Sequence, residues 1–97
     1  MAIKDYNRAI EINPTHAEFY YCNRGNVFSK IGNYTQAIKD FNKAINLSPK
    51  FEDAYYRRGD TYDKIGNHMQ AIENYKISAR LGGSEAREFL RDKGIRW

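Results

Sequence analysis

The strongest constraint on this 97-residue chain is an internal period of 34. Lys30-Ile31-Gly32-Asn33 returns as Lys64-Ile65-Gly66-Asn67, and Gln36-Ala37-Ile38 returns as Gln70-Ala71-Ile72. Tyr21, Gly25, Ala37 and Phe41 return as Tyr55, Gly59, Ala71 and Tyr75, each pair 34 apart. A partial copy opens the sequence, where AIKDYNRAI at 2–10 matches AIKDFNKAI at 37–45 with an offset of 35. The connection after Pro14 therefore carries one residue more than the connection after Pro49. A fixed period of this length means similar units, each of which hides its apolar face only by stacking on a neighbour.

Within the period the spacing is helical. Tyr21, Gly25 and Phe28 stand at i, i+4 and i+7, one stripe of a helix, and Ala37, Phe41, Ala44 and Ile45 form a stripe on the next. Small residues at Gly25 and Ala37 let two helices approach closely while the aromatics fill the space beside them. Gly32 and Gly66 stand where a first helix needs a left-handed residue to end. Asn33 and Asn67 can then cap the second helices, each with a glutamine three residues on, Gln36 and Gln70. Pro49 stops the helix before it, because the residue preceding a proline avoids helical geometry. These signals predict helices over 2–12, 17–31, 34–47, 52–65, 68–81 and 84–93, with Ser84 capping the last after the Gly82-Gly83 break. The fold class is all-α.

A 34-residue period carrying these residues resembles the tetratricopeptide repeat (TPR) family, whose pattern is an aromatic, then Gly, an aromatic, Ala, an aromatic and Pro. Tyr21, Gly25, Phe28, Ala37, Phe41 and Pro49 fill it once; Tyr55, Gly59, Tyr62, Ala71 and Tyr75 fill it again; Ala2, Tyr6 and Pro14 supply the second half of an earlier copy. Two departures stand out. Arg24 and Arg58 occupy the place of a leucine before the glycine, and Gly82-Gly83 replaces the closing proline. The resemblance implies a TPR-type right-handed α-solenoid of antiparallel helix pairs. Residues 1–14 would be the second helix of a partial repeat, 15–49 and 50–83 two repeats, and 84–97 a capping helix and tail. On this reading Ile95 and Trp97 fold back onto the preceding pair.

The family's first helices line a concave surface that grips peptides or partner helices, so the resemblance implies a protein–protein interaction module rather than an enzyme. Opposite Tyr21, Gly25 and Phe28, the helix at 17–31 carries Phe19, Cys22, Asn23, Asn26 and Lys30. The helix at 52–65 carries Asp53, Tyr56, Arg57, Asp60 and Lys64 at matching places. Asparagine can hydrogen-bond a peptide backbone whatever its sequence, and arginine can hold a carboxylate with two parallel bonds. Asn23, Asn26 and Arg57 resemble part of the clamp with which some members hold the C-terminal carboxylate of chaperones, but Cys22 and Asp53 stand where lysines are wanted. Asp53, Asp60 and Asp63 make the face mixed in sign, which suits basic or polar peptides.

The helix at 2–12 begins on the second half of a repeat, so Ala2, Ile3, Tyr6, Ala9 and Ile10 form a half-wet apolar face. A self-assembling structural element, joined through that face as a homodimer or helix-swapped oligomer, is the alternative to peptide binding. Other chemistry is missing. The single cysteine, Cys22, excludes an intramolecular disulfide and a cysteine-rich zinc site, and fits a reducing, cytoplasmic setting. His16 and His68 lack partners at ligand spacing, and the sequence holds no phosphate-binding glycine loop or nucleophile elbow, so neither metal nor cofactor is expected. No apolar run approaches the roughly 20 residues of a membrane span. The net charge of +4 is spread over interleaved lysines, arginines and acids with no basic block, which argues against nucleic acid as the partner.

Overall fold

The computed structural model describes residues 2–12 and 14–97, with the backbone alone at Ala2, Ile12 and Pro14. The described residues form helices α1 (Ala2–Ile12), α2 (Ala17–Lys30), α3 (Tyr34–Leu47), α4 (Glu52–Ile65), α5 (His68–Arg80) and α6 (Ser84–Asp92), and a 3₁₀ turn at Pro14–His16. They contain no strand, and no helix long and apolar enough to cross a membrane. Two compact units divide the chain, residues 1–49 and 50–97. In the first, α1 packs on α2 and α2 on α3; in the second, α4 packs on α5 and α5 on α6. The expected helices are all present. The turn at Pro14–His16 lies in the connection that carries the extra residue.

Each helix pair is joined by the same device. Gly32 takes φ +87 and Gly66 φ +94, so a side chain at either place would be strained. The Gly32 amide donates to the Ser29 carbonyl at 3.1 Å and the Asn33 amide to the Phe28 carbonyl at 2.9 Å, and Gly66 and Asn67 repeat this on Asp63 and Tyr62. The orphan carbonyls of the first helix are thus satisfied while the chain reverses. Asn33 then caps α3 by accepting the Gln36 amide at 3.4 Å, and Asn67 caps α5 from Gln70 at 3.3 Å. The last helix differs from expectation. Gly83 occupies the N-cap of α6, with no side-chain cap bond, and Ser84 is the first helical residue.

Close approach holds the two helices of a pair together. A Cβ placed on Gly25 would stand 2.9 Å from the Phe41 ring and 3.1 Å from the Ala37 carbonyl oxygen. One on Gly59 would stand 2.9 Å from the Tyr75 ring and 3.1 Å from the Ala71 carbonyl oxygen. Ala37, Phe41 and Ala44 are fully buried, as are Ala71, Tyr75 and Ala79 to within 2%. Behind the second pair, α6 closes the unit with Ala86 and Leu90, against which Tyr56, Tyr62, Phe89 and Ile95 pack. Ile95 thus folds back as expected, while Trp97 stays 39% exposed, its carbonyl accepting from Arg80 Nε at 3.0 Å.

The arginines in place of leucine have a structural account. Arg24 Nε and Nη2 donate to the Asp40 carboxylate at 2.8 and 2.6 Å, and its Nη1 donates to Asn7 Oδ1 at 2.6 Å, tying α1 to the pair. Its guanidinium lies 5.3 Å from the Tyr21 ring centre and 6.0 Å from that of Phe28. The hydrogen bond to Asp40 holds its pKa above the ordinary arginine value. One repeat later, Arg58 lies 5.3 Å from the Tyr55 ring centre and donates through Nε to Asn74 Oδ1 at 2.7 Å. Asn74 Nδ2 in turn donates to the Gln70 carbonyl at 2.8 Å. Burial pulls the Arg58 pKa down. Removing the acid of this part-buried ion pair takes away two hydrogen bonds to a charged group, so Asp40→Ala is expected to cost about 2 kcal/mol in urea unfolding. Asn74→Ala, which breaks a bond from arginine to a neutral amide, is expected to cost about half as much.

Candidate interaction faces

On α2 the buried positions are Ala17, Cys22, Gly25 and Ser29, so the last three make one stripe at i, i+3 and i+7. Cys22 is 1% exposed and therefore does not present the groove-facing thiol expected of it. The physical reason is legible afterwards: cysteine, glycine and serine are the small residues that a close helix contact requires. Phe19, Asn23, Asn26 and Lys30 lie on another stripe, at i, i+4, i+7 and i+11. Phe19 is 49% exposed, Asn23 and Lys30 are exposed, and Asn26 is half-buried.

On α4 the five expected residues divide. Asp53 and Arg57 form an ion pair one turn apart, with Arg57 Nε donating to Asp53 Oδ2 at 3.0 Å, and both side chains are more than a third exposed. Lys64 is exposed. Tyr56 and Asp60 are drawn toward the second helix of their own unit. The Tyr56 ring centre lies 5.4 Å from that of Tyr75, which lies 4.7 Å from that of Phe89. The Tyr75 hydroxyl donates to Asp60 Oδ1 at 2.5 Å. Sequence reasoning did not foresee this bond; its signal is the replacement of Phe41 by Tyr75 and of Asn26 by Asp60 at matched positions of the repeat.

Beside Tyr56, the start of α4 and the turn before α6 enclose a small cleft lined by Glu52, Asp53, Ser78 and Glu85 among others. Ser78 Oγ closes its floor by donating to the Glu52 carbonyl at 2.8 Å. Among the described residues, no three His, Cys, Asp or Glu side chains are grouped to hold a metal ion. On α1, Ile3, Tyr6, Ala9 and Ile10 are half-buried; the side chain of Ala2 lies outside the described residues.

The profile described as "TPR repeat" matches residues 1–32 and again residues 25–66. The chain belongs to the TPR repeat family. Among solved structures, the Arabidopsis OM64 TPR domain is similar with a TM-score of 0.79 and 27% identity, over 94% of this chain and 78% of that one. The structure of MamA is similar with a TM-score of 0.76 and 26% identity, over 97% of this chain and 58% of that one. No curated protein matches the sequence. The all-α TPR fold is thus shown, and with it the general character of a protein-interaction fold.

The Tyr75–Asp60 bond makes a pH-dependent prediction. Burial, then the hydrogen bond to Asp60, holds the Tyr75 hydroxyl well above the ordinary phenol range. Burial likewise raises Tyr56, with Asp60 and Glu85 adding to it. A folded pKa above the unfolded one means that the native state keeps its proton longer, so stability is whole below about pH 10 and falls as pH rises beyond it. The melting temperature should fall as pH rises above about 10, and Tyr75→Phe should flatten that fall, read by circular dichroism.

Proposed function

We propose that this TPR chain binds a peptide or a partner protein through the exposed side chains of α2 and of α4, without catalysis or a cofactor. The observation that carries this reading is the α2 stripe of Phe19, Asn23, Asn26 and Lys30. It places an exposed aromatic ring in line with amides and a lysine, on a helix whose other stripe is buried. An aromatic anchor beside hydrogen-bonding amides suits a polypeptide ligand, because the ring supplies apolar contact and the amides supply sequence-tolerant bonds. The Asp53–Arg57 pair and Lys64 on α4 offer the same kind of partner both signs of charge. Glu52, Asp53 and Glu85 around the nearby cleft favour a ligand with basic groups. A single, buried cysteine fits a reducing compartment, and we place the chain in the cytoplasm.

The test is capture of binding proteins from lysate with the chain, with Phe19→Ser, with Arg57→Glu and with Lys43→Glu, a change at an exposed residue of α3. A partner held by the parent and by Lys43→Glu but lost from Phe19→Ser or Arg57→Glu is the expected result. Recovery of the same proteins with all four baits would refute the assignment of these faces.

A further inference from the structure

Helix α6 departs from the repeat at its C-terminal end. Lys93-Gly94-Ile95 stands 34 residues after Gly59-Asp60-Thr61. Helix α4 runs on through those residues to Ile65, whereas α6 ends at Asp92. Gly94 makes the stop at φ +71, its amide donating to the Arg91 carbonyl at 3.0 Å and the Ile95 amide to the Leu90 carbonyl at 2.8 Å. Beside this early stop, within the second unit, lies a cleft of about 350 Å³ between the end of α4, the start of α5 and the end of α6. Its lining combines the buried Ala71 and Tyr75, the half-buried Ile72, Phe89 and Ile95, and the exposed Asp63, His68 and Lys93.

We infer that this cleft binds a small organic monocarboxylate with an aromatic body, its ring among the apolar side chains and its carboxylate at the Lys93 ammonium. Charge decides the polar end. Of the three charged linings, Asp63 and His68 hold each other at 2.5 Å. The Lys93 ammonium, among the described residues, has no ion pair or hydrogen bond, and it lies 5.8 Å from the Phe89 ring centre. One free positive charge on an apolar wall is balanced by one negative charge. A phosphate monoester would bring up to about two negative charges near the Asp63 carboxylate, and a cation would meet Lys93 unopposed.

Shape decides the body. Small-molecule pockets begin at roughly 300 Å³ and are mostly apolar with a few placed polar groups, which describes this cleft. The Tyr75 and Phe89 rings stand 4.7 Å apart between centres and tilted at 49°, an arrangement to which a third ring adds favourably. An extended peptide needs main-chain partners along its length, which the side chains of three helices do not supply. None of the lining residues belongs to the sets on α2 and α4 proposed above to meet a polypeptide, so the two readings stand or fall separately.

The probes are indolepropionate and tryptamine, which carry a carboxylate and an ammonium on the same ring and linker. Each is titrated into the isotope-labelled full chain and followed by amide NMR. Indolepropionate should shift the Ile72, Phe89 and Ile95 signals saturably, and tryptamine should bind about tenfold more weakly. Lys93→Glu should weaken indolepropionate about tenfold and bind tryptamine more tightly than the parent does, an inversion that mere damage to α6 would not produce. Circular dichroism checks the fold; should Lys93→Glu lose helix, Lys93→Gln serves in its place and must also weaken indolepropionate. Absence of saturable shifts, shifts confined to residues outside the cleft, or equal affinity for the two probes would overturn the inference. So would an acetylated Trp-Glu dipeptide that binds the cleft about tenfold more tightly than indolepropionate, because the occupant would then be a polypeptide.

Discussion

A ring laid against a glycine organises each unit of this protein. At Gly25 and again at Gly59 the first helix carries no side chain, and the ring of Phe41 or Tyr75 takes the space. A helix-interior glycine costs about 1 kcal/mol in propensity. That cost is offset by full burial of a large aromatic ring and of the alanines one turn to either side, Ala37 and Ala44 in one unit and Ala71 and Ala79 in the other. The crossing fixes which stripe of each helix is inward, and hence which residues are left to meet a partner.

Around this contact the two repeats have diverged in their polar chemistry. In the first, Arg24 and Asp40 make a part-buried ion pair that also reaches Asn7 on α1. In the second, Arg58 meets the neutral Asn74, and the hydroxyl of Tyr75 engages Asp60. The arginine therefore stays at its place in the repeat while the group that receives it changes. Its aliphatic stem and flat guanidinium can lie over Tyr21 and Tyr55 much as a leucine would, with the charged end directed to an acceptor on the second helix.

The helices and their ends were legible in the sequence because local chemistry sets them. Gly32-Asn33 and Gly66-Asn67 specify both the reversal and the cap, and α3 ends at Leu47, two residues before Pro49. The candidate faces were less legible, for a physical reason. Periodicity tells which side of a helix is opposite Tyr21, Gly25 and Phe28, but α2 meets two helices, so Cys22 and Ser29 are buried outside that stripe. On α4, Asp60 receives a hydroxyl that Phe41 of the first repeat lacks, and Tyr56 packs against the ring that carries it. Ser84 failed as a cap because Gly83 already holds the extended geometry that precedes α6.

The most direct test of this account is the unfolding free energy of Gly25→Ala and of Gly59→Ala. Propensity alone would make each variant more stable, by about 1 kcal/mol. If the glycine–ring contact governs the pair, the added methyl must displace Phe41 or Tyr75, and each variant loses about 1–3 kcal/mol. Variants as stable as the parent, or more so, would contradict the account.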